Sequence, residues 1–228
     1  MPTRSEAEEH LRVIRTLMER ATIYRAISAP TALVGGLCSL AFGAWLHFHW
    51  RPLPAGSEQA EFARLFIAGW IGAFAVTAFA NALFIRSAAH RRNEPFVSPS
   101  IRKALWALLP AMLCGAFFTL AFTVVGSDTA RWFLPQLWMI FYGLALLATA
   151  QFSPRSIPIL GWCFLLAGLV SFGVDYWMQI VEFFGKGEAH RPTSANLLMS
   201  AVFGSFHLIY AACTWPRNAA QSDTAGTP

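Results

Sequence analysis

Six apolar runs, at about residues 27–48, 62–85, 101–125, 129–152, 157–184 and 195–215, constrain this chain more than any motif in it. Each is about 20 residues or longer, which at about 1.5 Å rise per residue covers a bilayer hydrocarbon core of about 30 Å. No water is present in that core to pair with backbone N–H and C=O groups, so each run must satisfy them within itself, as a helix. Composition agrees, because 56% hydrophobic and 13% charged residues leave too little polar surface for a soluble domain of 228 residues. The expected fold class is all-α: a polytopic membrane helical bundle of six transmembrane helices over residues 27–215. An amphipathic cytoplasmic helix is expected at 1–26 and a disordered cytoplasmic tail at 216–228.

The loop between the second and third runs carries Arg86, Arg91, Arg92, Arg102 and Lys103. Short loops rich in Lys and Arg stay on the cytoplasmic side, so this one sets the threading of the whole chain. With both termini inside, the inner segments hold Arg4, Arg12, Arg15, Arg20, Arg25, Arg155 and Arg217 as well as those five. The outer segments hold only Arg51, Arg64, Arg131, Lys186 and Arg191. The net charge of +5 therefore reads as orientation, not as a nucleic-acid surface. Arg far outnumbers Lys and Ala is abundant, which points to a bacterial inner membrane.

Within 1–26, Ser5 and Glu8 have capping-box spacing, Leu11, Ile14, Met18 and Ala21 share a helical face, and Glu8–Arg12 and Arg15–Glu19 are i,i+4 pairs. In the first run Gly36 and Gly43 lie seven apart on one face, and in the second Gly69 and Ala73 form a small-xxx-small pair; both arrangements allow close helix approach. The four cysteines all fall inside apolar runs without a CxxC pair, and are expected to be small buried packing residues. The fifth run keeps a helical pattern beyond the length a span needs, so its end is expected to project from the outer surface.

Four intramembrane polar residues are candidate site residues. Asp175 lies about 25 Å along its helix from Pro158, near the outer surface, and His207 lies twelve residues after Ala195, near the midplane. Asn81 and Gln136 complete the set, with interhelical hydrogen bonding as the ordinary use of such groups. His47, His49, Glu58, Glu61, Asp128, Asp175, Glu182 and His190 gather toward the outer face, but without a recognised metal spacing such as HExxH. There is no GxSxG elbow, no GxxxxGK[ST] phosphate loop and no GxGxxG after a strand. The sequence thus assigns no catalytic residue, no cofactor and no metal. It reads as a non-enzymatic accessory or interaction subunit whose partners are the lipid bilayer and either another membrane protein or its own copies, with no nucleic acid. The alternative is a small-solute or proton-coupled transporter with Asp175 and His207 along its path.

Overall fold

The computed structural model describes residues 8–10, 12–13, 28–49, 58–91, 97, 99–124, 133–184 and 195–215. Among these there is no strand. The helices are α1 (Ala29–His49), α2 (Glu58–Arg91), α3 (Pro99–Val124), α4 (Leu134–Ala148), α5 (Ser156–Phe184) and α6 (Ala195–Thr214), the last interrupted by a π-helical turn at Ser200–Gly204. Five of them, all but α4, are long and apolar enough to cross a membrane, so the chain is a multi-pass membrane protein with an all-α bundle fold. Of the N-terminal helix only 8–10 and 12–13 are described; both pieces are helical, and Arg12 donates to Glu9 at 2.8 Å. The remainder of that helix and the tail at 216–228 lie outside the described residues.

The fourth span departs from expectation. The regular helix covers 15 residues, not the run 129–152, and residues 129–132 lie outside the described residues. Its end is a local choice by Thr149, whose hydroxyl and N–H both turn back onto the Leu146 carbonyl, at 2.7 and 3.1 Å. The chain tightens into a 3₁₀ turn at Ala150–Phe152, and Ser153, which precedes Pro154, is extended as that position demands. Helix α2 departs in the other direction: its 34 residues span about 51 Å, so both ends reach past an apolar core of about 30 Å.

The helices pack in the order α3, α4, α5, α6, α1, α2, with neighbouring pairs antiparallel except where α6 also runs alongside α4. Glycines set the two closest seams. A methyl group placed on Gly143 of α4 would lie 2.6 Å from the Leu165 N and 2.7 Å from the Gly161 O of α5; one on Gly168 would lie 2.9 Å from the Gln136 O. On α1, Gly36 faces Leu208 and, at 3.1 Å, the Gly204 O, while Gly43 faces Ser200. This is the close face expected from the spacing of Gly36 and Gly43. The stretches 36–43 (GLCSLAFG) and 161–168 (GWCFLLAG) share Gly, Cys and Gly at the same spacing, and each lays its glycines against an antiparallel neighbour. Gly69 likewise meets Phe42 of α1, so α2 also approaches through a small residue.

The cysteines are a correction. Cys114, Cys163 and Cys213 are exposed on the outside of the bundle and Cys38 is half-buried. In a membrane protein the outer surface is as apolar as the interior, so a cysteine in an apolar run need not face inward. The interior is instead filled by aromatic rings. Phe62, Phe66, Trp70 and Leu46 form one cluster with Met199, and Met139, Ile157, Phe164 and Tyr210 form another.

Among the described residues from 28 onward, all the carboxylates lie at one end of the bundle axis and all the Lys and Arg cations but one at the other. Among the described residues from 28 onward, Glu58, Glu61, Asp175 and Glu182 lie at one end, together with Arg64. Arg86, Arg91, Arg102, Lys103 and Arg155 lie at the other, with no carboxylate among them. Exposed tryptophans ring both ends, Trp45 and Trp177 at the acidic one and Trp106, Trp162 and Trp215 at the basic one, the placement of interfacial anchors.

Candidate functional site

Among the described residues, His207 is the one Asp, Glu, Lys, Arg or His side chain placed at the centre of the bundle, and it is buried. Its position follows from α6, which starts at the acidic end and carries His207 twelve residues inward, about 18 Å. The ring Nδ1 lies 2.8 Å from the Phe203 O, one turn back. A carbonyl oxygen only accepts, so Nδ1 carries a proton, and in the neutral ring Nε2 is then the acceptor. Tyr142 of α4 supplies the donor, its O–H lying 2.9 Å from that Nε2. Phe164 of α5 and Phe203 stand 5.4 and 6.1 Å away between ring centroids, and a methyl group on Gly35 of α1 would meet both the His207 Cδ2 and Thr77 of α2. Four helices, α1, α4, α5 and α6, therefore meet around one imidazole with both nitrogens engaged. The π-helical turn at Ser200–Gly204 directly precedes it, a distortion frequent at functional positions.

Gln136 and Asp175 are brought together at the acidic end. Gln136, in the first turn of α4, donates from Nε2 to Asp175 Oδ2 at 2.6 Å, tying α4 to α5. Gln136 is almost fully buried, and its Oε1 has no hydrogen-bond partner among the described residues. Asn81 serves the opposite end of the bundle: Thr31 of α1 donates to its Oδ1 at 3.0 Å, with Ser28 3.2 Å from the Thr31 hydroxyl. All four sequence candidates thus bond to another side chain, and three pairs of helices are joined.

Asp175 and His207 do not share a site. His207 lies level with Phe164, eleven residues before Asp175 on α5, an axial separation of about 16 Å. Nor do His, Cys, Asp and Glu side chains assemble in threes among the described residues. Asp128 and His190 of the outer cluster lie outside those residues.

Sequence reading missed three participants. Tyr142 is a phenol in the middle of an apolar run, and its amphipathic character was the available signal. Asn196, in the first turn of α6, donates to the Gly43 O at 2.7 Å, and its own Oδ1 is buried without a partner among the described residues. Trp138 of α4 donates to Thr119 of α3 at 2.7 Å. These bonds lock helices together, and nothing in the residues themselves distinguishes an interfacial Asn or Trp from one meeting headgroups.

Compared with known proteins, the chain matches no family model, no curated protein and no solved structure. Its function therefore rests on its own residues.

Proposed function

We propose that this chain is a non-enzymatic multi-pass protein of a bacterial inner membrane that acts through protein partners in the plane of the membrane, either other subunits or its own copies. One observation carries the reading: the four polar candidates within the spans each make a helix-to-helix bond, Tyr142–His207, Gln136–Asp175 and Thr31–Asn81, at separate depths. Such bonds are worth about 0.6 kcal/mol each on average, enough to select one helix arrangement, and they leave no shared polar file for a solute to follow. The expected result of purification from native membranes in mild detergent, at native abundance, is a stable complex. A lone protomer with no associated protein would remove the reading's support.

Both termini are assigned to the cytoplasm because the basic end of the bundle carries five cations and no carboxylate among the described residues from 28 onward. In intact cells an impermeant thiol reagent is expected to label Ser57→Cys and to spare Glu94→Cys; the reverse pattern would invert the orientation. A second reading, proton-coupled transport, is favoured by the π-helical turn beside His207, since transporter sites use broken helices near the midplane. It requires a pH-dependent flux in liposomes that His207→Ala abolishes.

A further inference from the structure

We propose that the basic end of α3 binds an anionic phospholipid. The inference requires only that α3 crosses the bilayer, and it is independent of the partner reading above.

Helix α3 is the least covered element: only 6% of its apolar span is buried. Among the described residues it docks chiefly on α4, through Gly115 against Phe141, the Phe118–Phe141 stack at 5.7 Å and the Trp138–Thr119 bond. Its opposite face is bare of protein among the described residues. Arg102, Trp106, Leu109 and Leu113 are exposed and follow one another at spacings of four, three and four, so they form a single line along that face. Lys103 is exposed beside the line.

The order of residue types along the line matches an anionic lipid. Two cations come first, at the start of the helix where it leaves the aqueous side, and neither takes part in an ion pair among the described residues. One turn deeper is an indole at 69% exposure, at the level where tryptophan prefers the headgroup boundary. Leucines follow at acyl-chain depth. A phosphate diester offers oxygens that Arg holds through its fork and Lys as a point charge, while its chains lie along the indole and the leucines. An acidic protein segment would satisfy the cations but leave the apolar half of the line without a use. A second copy of α3 would bring its own cations against these.

The full-length protein in neutral detergent, titrated with phosphatidylglycerol or phosphatidylcholine of the same chain length and observed by native mass spectrometry, tests this. Phosphatidylglycerol is expected to bind at least tenfold more tightly than phosphatidylcholine. R102Q/K103Q should erase that preference, at roughly fivefold per cation and roughly twentyfold or more for the pair. R155Q, at the same end but on another element, should retain it, and Trp106→Ala should weaken both lipids. The inference is overturned if the wild type shows no preference, if R102Q/K103Q keeps it, if R155Q loses as much, or if inorganic phosphate displaces the lipid. Co-purification of an acidic protein that competes with phosphatidylglycerol would overturn it as well.

Discussion

Gly143→Ala is expected to destabilise the protein by about 3 kcal/mol, while Gly173→Ala is expected to be neutral or to stabilise by up to about 1 kcal/mol. Both changes add one methyl group to an apolar helix in the same bundle. At Gly143 that methyl group meets the backbone of α5, at 2.6 Å from the Leu165 N and 2.7 Å from the Gly161 O, and backbone cannot swing aside as a side chain can. At Gly173 nothing lies within 4 Å, so only the gain in helix propensity remains. Opening the α4–α5 seam by even an ångström would also lengthen the Gln136–Asp175 bond, now 2.6 Å. Thermal unfolding of the two variants in the same detergent measures the difference. Equal shifts would mean that the close approach of α4 and α5 is not a feature of the folded protein.

His207→Ala carries the other large effect, a loss of about 2–4 kcal/mol, against about 1 kcal/mol for Tyr142→Phe. The asymmetry is informative because the two variants break the same hydrogen bond. Tyr142→Phe removes one hydroxyl and strands the His207 Nε2. His207→Ala also empties a space bounded by Tyr142, Phe164 and Phe203, and it leaves the buried Tyr142 O–H without its acceptor. If the pair serves packing alone, the two losses keep that ranking and no transport activity accompanies the wild type. If proton-coupled transport is the function, a wild-type pH-dependent flux disappears in His207→Ala even under conditions where the variant stays folded. Losses of equal size with no flux would show that the imidazole fills no space that matters, contrary to the packing described.

Much of the architecture was legible in residue order. Helix boundaries at Pro30 and Pro99, the seven-residue glycine spacing in α1 and the unbroken run of α5 to Phe184 all follow from local rules: missing donors, small side chains and helical periodicity. The end of α4 was less legible, because Thr149 and Ser153 hydrogen-bond their own backbone and each other in a way an apolar run does not reveal. Burial of the cysteines was misjudged for a different reason. In water, apolar means inside; in lipid, both faces of a helix are apolar, so hydropathy does not tell Cys163, which is exposed, from Phe164, which is fully buried.

The site shows the same division. Asp175, His207, Asn81 and Gln136 stood out in the sequence because polar groups in hydrocarbon are costly and so need a use. That Gln136 belongs with Asp175, and His207 with a tyrosine 65 positions away, depends on which helices lie side by side.

By itself, the sequence determined that this chain lives in a membrane, how many apolar segments it has and which end of the bundle is basic. Those properties depend on transfer free energy and net charge, which each residue brings with it wherever it sits. Only the tertiary structure decided that α4 and α5 touch backbone to backbone, that four helices converge on His207, and that one face of α3 is uncovered among the described residues. Neighbourhood in a helical bundle depends on shape, and shape belongs to pairs of surfaces, not to single residues.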